Sequence, residues 1–426
     1  MKLLFVHQNF PGQYGRIAAH YAAQPGNQVV AIGEKANLVR RGQVRGVKLL
    51  GYELQARATD SLQKAIHRGK RVATAAAVLR RSGFAPDIIF AHIGWGEALF
   101  LKDIFPDARM LLYGEFFYRP RGSDLGFDPE YPASEEKILR LRLMNAPLLM
   151  SLDAADWSMA PTHWQFRQFP AAYQARMSVI HDGVDTDSVS PITNNFQAEI
   201  VTYVARNLEP YRGFHVFMRA IPEIQKRRPK ARIVIVGGDE VSYSPRLPAG
   251  ETYRSRLLRE LDGRIDLSRV HFLGRIPYAQ YLSVLRHSAV HVYLTYPFVL
   301  SWSLLEAMSA GCLVVGSRTP PVEEVIRDGD NGLLVDFFST EEISIRIDEA
   351  LKNRNEGMRE RARTTIVENY DLKRTCLPAQ LELVEALKRQ GADAGPAADV
   401  EHLPGDEARV PVGEEQHRPR DVVGLA

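Results

Sequence analysis

Residues 294–317, LTYPFVLSWSLLEAMSAGCLVVGS, join a strand end, a tight loop, a helix and a second strand in one short stretch. The β-branched, apolar run 290–294 reads as a buried strand, and Pro297 stops it because proline offers no ladder N–H. Ser303 can cap the helix that follows, in which Leu304, Leu305, Ala307 and Met308 surround one carboxylate, Glu306, before Gly311 ends it. The run 312–315 is then another buried strand, closed by Gly316. A strand, a loop and a helix N-terminus aim backbone N–H groups and the positive end of a dipole at one point, which suits a phosphate. Glu306, about one turn into the helix, can accept two hydroxyl hydrogen bonds from a ribose.

The same alternation runs through the chain. Apolar strands at 2–7, 28–32, 47–50, 87–91, 109–113 and 157–160 are separated by helical stretches such as 14–23, 61–82, 135–151 and 162–169. Such strands mean a parallel sheet covered on both faces, with ligands beyond the strands' C-terminal ends. The polar, proline-bearing stretch 188–198 is the best domain boundary, and a second series of strands and helices starts at Ile200. At 426 residues the chain is too long for one core. The expected division is 1–187, a linker 188–198, 199–368, and a last helix within 369–390 interrupted near Pro378. From 391 to 426 the chain is rich in Gly, Pro, Ala and charge without periodicity, and reads as a disordered tail.

Several residues stand at expected strand tips. The turn 9–13 places Gly12 between a strand and a helix, an anion-friendly corner or a plain βα turn. His92 ends a strand beside Gly94 and Gly96; a lone histidine is more often structural, but this position favours a functional one. Arg206 and Arg212, in ARNLEPYRGF, can flank a diphosphate, arginine acting as a bidentate fork. Gly237 ends the strand 232–236, and Arg275 follows the strand 271–273. The long loop 114–131, GEFFYRPRGSDLGFDPEY, is aromatic, charged and glycine-rich, and is taken as acceptor-side through Tyr118, Arg119, Arg121 and Asp124.

Charge is uneven although the net is only +3. Residues 35–81 carry twelve Lys and Arg against Glu53 and Asp60 alone, a face that can dock on anionic lipid or an acidic acceptor, or simply be solvated. No groove-reading or aromatic RNA-binding pattern supports nucleic acid. No run approaches about eighteen uncharged apolar residues, and MKLLFVHQNF turns polar too soon for a signal peptide, so a cytoplasmic protein is expected. Cys312 and Cys376 lie in apolar patterns, with neither a metal spacing nor a disulfide framework.

The ordered set ARNLEPYRGF, VIVGG, HFLGRIPYAQ, SLLEAMSAGCLVV, PVEEVI and GDNGLLV resembles the nucleotide-binding half of family 4 retaining glycosyltransferases. HQNFPGQ, the His92 strand tip, APTHWQ and HDGVD are similar to the N-terminal half of the same family, so the resemblance covers residues 1 to about 390. It implies the GT-B architecture: two Rossmann-like α/β domains with parallel sheets face each other across a cleft, and the C-terminal helix crosses back to the first domain. The N-terminal domain would take the acceptor and the C-terminal one a nucleotide sugar. By the resemblance Arg206 and Arg212 contact the donor diphosphate, Arg212 standing where the family usually has Lys. Glu306 matches the second Glu of the E-x7-E motif, which binds the ribose. Gly12, Gly237, Arg275, Ser303 and Leu304 complete the nucleotide site, and His92 approaches the donor sugar near the leaving phosphate. The first motif Glu is replaced by Phe298, so the family's usual sugar-hydroxyl contact is missing there, and the resemblance leaves Phe298 and the backbone of Val299, Leu300 and Ser301 to line the sugar. Asp182 replaces the more usual Asn of an NGVD segment and is taken as structural.

The expectation is therefore a retaining, hexosyl-type glycosyltransferase using a nucleotide-diphosphate sugar and acting on a glycan or lipid-linked acceptor, with possible contact to the inner membrane face through 35–81. No Asp-x-Asp stands at a strand end, so neither metal nor cofactor is expected. The alternatives are a non-catalytic nucleotide-sugar-binding protein, or a sugar-nucleotide epimerase on the same fold.

Overall fold

The computed structural model describes residues 1–41, 43–54, 60–192 and 198–392. Arg57 of the basic region, 193–197 of the expected linker and the expected tail from 393 onward lie outside the described residues.

In the N-terminal domain β1 (Lys2–Val6), α1 (Gly15–Ala22), β2 (Gln28–Glu34), α2 (Lys35–Arg41), β3 (Val47–Tyr52), α3 (Ser61–Arg81), β4 (Ile88–His92), α4 (Leu101–Ile104) and β5 (Arg109–Tyr113) follow in order. After a long loop come α5 (Glu135–Ala154), β6 (Trp157–Ala160), α6 (His163–Gln168), α7 (Ala171–Gln174) and β7 (Met177–Val179). All strands pair in parallel, in the order β3-β2-β1-β4-β5-β6-β7. The central strand shows why its sequence is apolar throughout. Leu3 and Phe5 face one core and Leu4 and Val6 the other, all fully buried. Period-2 alternation sends successive side chains to opposite faces, so a strand covered on both sides has no polar positions.

The C-terminal domain runs β8 (Ile200–Asn207), α8 (Phe214–Arg227), β9 (Arg232–Gly238), α9 (Tyr253–Glu260), β10 (Val270–Gly274), α10 (Tyr278–Arg286), β11 (Val290–Tyr293), α11 (Trp302–Ser309) and β12 (Leu313–Ser317). Then follow α12 (Pro320–Glu323), β13 (Leu333–Val335), α13 (Thr340–Asn353), α14 (Glu356–Asn369) and α15 (Leu377–Ala392). Its sheet has the order β10-β9-β8-β11-β12-β13. Leu383, Val384 and Leu387 of α15 are buried with Leu3, Phe5 and Tyr14, so the last helix returns to the first domain. Pro378 does not interrupt it. Pro378 sits in its first turn, where a missing N–H costs nothing, and the break falls earlier, at Asp371, whose carboxylate caps the following turn. The near end of the expected linker is docked rather than free: Val189 is 1% exposed, and its carbonyl accepts the Ser309 hydroxyl at 2.6 Å.

The loop 114–131 departs most from expectation. It is a strap laid across the C-terminal domain. Tyr211 donates its hydroxyl to Asp124 (2.9 Å), and Asp128 accepts from His215 Nε2 (2.9 Å) and the Tyr296 hydroxyl (2.5 Å). Arg219 of α8 pairs with Glu130 at 2.6 Å, and Phe127 packs on Tyr296, Phe337 and Phe338. On the other side of the molecule's waist, Glu324 caps α6 by accepting the N–H groups of His163 (2.7 Å) and Trp164 (2.6 Å).

Candidate active site

The strand tips of the two domains meet along the cleft. On the C-terminal side the β8–β9 ladder skips from Val204 to Asn207, so Arg206 leaves the register and its side chain is exposed. Arg212 ends a short 3-10 turn, and Gly213 beyond it must adopt φ +69° with Leu294 packed against its Cα, which only glycine permits. That turn aims the guanidinium at the loop after β11. Nη1 donates to Thr295 Oγ1 (2.8 Å) and to the Val299 carbonyl (2.9 Å). One edge of the fork is thereby anchored by the protein.

The helix α11 begins at Trp302, and its N-cap is Ser301 rather than the expected Ser303. Ser301 is the residue with extended backbone, the geometry a cap requires; Ser303 lies inside the first turn. Leu304 is fully buried, so only its backbone can serve a ligand. The sugar-lining expectation is corrected at Phe298, which is 5% exposed and points into a hydrophobic core; the Leu300 side chain is equally buried, so only its backbone can serve a ligand. Phe298 packs against Phe116 and Tyr243, with ring centroids 4.8 Å away in each case. The carbonyl of Val299 is taken by Arg212, and Ser301 N–H donates to the Tyr293 hydroxyl at 2.8 Å.

Both oxygens of Glu306 are occupied in the chain itself. Tyr278 and Tyr281, one turn apart on α10, donate their hydroxyls to its Oε1 and Oε2, each at 2.6 Å. Burial pushes its carboxyl up, against the pull of those two bonds. Phenol and ribose hydroxyls are alike as donors, so the geometry is that of a diol receptor already satisfied. Arg275 is held by Glu240 (2.5 Å) and Asn207 (2.8 Å). Gly237 is required by packing, since a Cβ there would lie 2.7 Å from Leu208.

On the N-terminal side His92 is buried at the end of β4. Its Nδ1 accepts the Gly94 N–H at 2.9 Å, which puts the proton of a neutral ring on Nε2. That nitrogen lies 3.5 Å from Glu115 Oε2. Gly12 adopts φ +48° against the His7 ring, and the next residue, Gln13, donates Nε2 to Glu115 Oε1 at 3.2 Å. Glu115 was not among the expected site residues. Burial pushes its carboxyl up, but the neighbouring His92, with Arg206 and Arg212 from the facing domain, outweighs this and holds it below the usual range. Its signal was the strand tip itself: it stands two residues past β5. Nearby, Asp182 accepts from Tyr113 (3.0 Å) and from Trp302 Nε1 (2.7 Å), linking β5 to the start of α11.

The acceptor candidates fare differently. Asp124 is committed to Tyr211 and Ser123, and Arg119 donates to the carbonyls of Gln168 and Phe169 at the end of α6. Tyr118 packs between the two domains' cores, and its backbone N–H and carbonyl are both taken by Asn145. Only Arg121 faces solvent. A cavity of about 740 Å³ lined by His163, His181, Glu324, Arg327, Arg361 and Tyr370 contains none of the expected site residues. Among the described residues no helix is long and apolar enough to cross a membrane.

Residues 25–189 match the family model described as glycosyl transferase family 4 group, and residues 186–366 match glycosyl transferases group 1. The chain is 27% identical to the D-inositol 3-phosphate glycosyltransferase of Corynebacterium efficiens over 282 residues, 60% of this chain and 61% of that protein. An uncharacterized glycosyltransferase of Methanocaldococcus jannaschii is 25% identical over 206 residues, 46% of this chain and 50% of its own. The chain thus spans between 50% and 61% of the length of these two curated relatives. The crystal structure of Anabaena HepE in complex with UDP superposes with a TM-score of 0.67 at 15% identity, over 91% of this chain and 100% of that one, a likeness of fold.

Proposed function

Since the chain belongs to the group 1 glycosyltransferases and has their GT-B fold, we propose that it is a retaining enzyme moving a hexosyl-type sugar from a nucleotide-diphosphate sugar to a glycan or lipid-linked acceptor in cell-surface glycan or exopolysaccharide synthesis. The observation that carries the reading is that Glu115 of one domain lies 3.5 Å from His92 and within the electrostatic reach of Arg206 and Arg212 of the other. Breaking the anomeric C–O bond leaves about one extra negative charge on the diphosphate, and preorganised cations lower the barrier most where charge develops. Arg206, Arg212 and the N-terminus of α11 meet that charge. The acceptor hydroxyl attacks from the face the phosphate leaves, and a phosphate oxygen takes its proton. Neither a catalytic carboxylate pair nor a divalent metal is needed for this sequence of events.

The basic region supports a peripheral position on the cytoplasmic face of a membrane. Between α2, β3 and α3 lies a cavity of about 480 Å³ lined by Leu38, Val39, Leu49 and Ala75 together with Arg71, Lys35 and Glu53, the last two paired at 2.8 Å. Its apolar lining suits a lipid-linked acceptor. One observation, the burial of Phe298 where the resemblance expects a sugar-binding acid, favours a non-catalytic nucleotide-sugar binder instead. Turnover of a bound donor separates the two.

The test is thermal stabilisation by a panel of nucleoside diphosphates and their sugar conjugates, with and without EDTA, starting from UDP because HepE holds it. Ligand at 100 times its dissociation constant should add about 2.7 kcal/mol. A shift for one base, indifferent to EDTA, is expected. No shift with any nucleotide overturns the donor site.

A further inference from the structure

Phe298 removes a carboxylate from the C-terminal wall of the cleft, and the structure returns one from the opposite wall. The Phe298 ring packs on Phe116 at 4.8 Å, and Glu115 is the residue before Phe116. The carboxylate is 30% exposed, its Oε1 accepting from Gln13 Nε2 at 3.2 Å and its Oε2 lying 3.5 Å from His92 Nε2. Its backbone carbonyl is held by the Gln165 side chain. A carboxylate so oriented, with lone pairs left over, is an acceptor for hydroxyl groups. It cannot serve the diphosphate, whose charge it shares. What lies next to the diphosphate along a nucleotide sugar, and carries hydroxyl donors, is the sugar.

We propose that Glu115 is the donor-sugar carboxylate of this protein, accepting hydroxyl hydrogen bonds from the transferred sugar across the cleft in place of the acid that Phe298 displaces. The inference rests on the donor reading above and goes beyond it by naming the group that senses the sugar. Because Glu115 comes from the N-terminal domain, it grips the sugar only when the two domains face each other as the strap holds them.

The experiment compares dissociation constants in wild type and Glu115→Gln for paired probes: UDP with UDP-glucose, UDP-galactose and UDP-N-acetylglucosamine, and GDP with GDP-mannose. In wild type at least one conjugate should bind more tightly than its own diphosphate. In Glu115→Gln that conjugate should weaken at least tenfold, while the bare diphosphate binds as before or more tightly, because a like charge has gone. Glu115→Asp, which keeps the charge on a shorter stem, should recover part of the loss. Equal shifts of diphosphate and conjugate, or no shift of either, overturn the assignment, as does a wild type that gains nothing from any sugar. A wild type that binds no nucleoside diphosphate fails at the donor reading itself, so the two failures are told apart. A merely structural role for Glu115 moves both members of a pair together.

Discussion

Replacing Asp128 by alanine should unclasp the strap, and its cost can be worked from the contacts. Asp128 is 2% exposed and accepts three hydrogen bonds, from His215 Nε2 (2.9 Å), the Tyr296 hydroxyl (2.5 Å) and the Glu130 N–H (2.9 Å). The His215 and Tyr296 side chains are themselves 2% exposed, so neither regains water when the acid is removed. A buried donor left without a partner costs about 1–3 kcal/mol, and Asp128→Ala leaves two, His215 Nε2 and the Tyr296 hydroxyl. Asp128→Ala should therefore lose about 2–6 kcal/mol of stability, while Asp128→Asn, which keeps one acceptor oxygen, should lose less. Burial pushes the Asp128 carboxyl up, but the His215 and Tyr296 bonds outweigh it and hold it below its ordinary value. An acid depressed in the folded state contributes stability above its unfolded value, about 3.9, and loses it as pH falls through the folded one. The difference between wild type and Asp128→Ala should accordingly be full at pH 7 and shrink below about pH 4. Urea titrations at several pH values measure this, with proteolysis of the strap as a local probe. A loss under about 1 kcal/mol at pH 7, or one that does not shrink in acid, would refute the clasp.

Glu306→Ala should weaken nucleotide binding without unfolding the domain, and unchanged affinity for UDP and every other nucleoside diphosphate would remove Glu306 from the ribose. Arg212→Ala should lower turnover on the order of 100-fold, the usual cost of one donor to a developing oxyanion, while Arg212→Lys, which keeps the charge but not the fork, should lose much less; equal losses would show that the anchoring of Thr295 and Val299 matters and the charge does not. Burial pushes the Asp182 carboxyl up to about 7 against its Trp302 and Tyr113 bonds. The folded state then holds this proton more tightly than the unfolded one, so its contribution is full below about pH 4 and lost as pH rises to 7. Asp182→Asn should flatten the stability profile over that window, and a profile that still declines as steeply would put the titration elsewhere.

How far the site was legible depends on whether a residue's role is set by its own chain neighbours. His92 and Arg206 stand at strand ends, which the apolar runs mark, Arg212 in the 3-10 turn after one of them, and Glu306 about one turn into the helix that Gly311 closes. The cap of α11 was misplaced by two residues because Ser301 and Ser303 are chemically equal and only backbone angles distinguish them. The short helices α2 and α9 and the longer α14 carry too many charges for the apolar pattern to mark. The loop 114–131 was misread for a different reason. Its aromatic and charged residues were taken as facing a ligand, whereas Asp124, Asp128 and Glu130 each find a partner in Tyr211, His215 or Arg219, some ninety positions away. Nothing local to the loop encodes those partners. Glu115 escaped by the same route: a glutamate in a loop is unremarkable until Gln13, His92 and two arginines of another domain surround it. The replacement at Phe298 looked like a loss when read along its own loop. Its ring in fact closes the hydrophobic seam that brings Phe116, and with it Glu115, to the cleft. A leucine at 298 would keep the hydrophobicity but lose the ring contacts with Phe116, Tyr211 and Tyr243 and the ring face under the Arg212 guanidinium, 5.8 Å away, and so should disturb binding of both the sugar and the diphosphate.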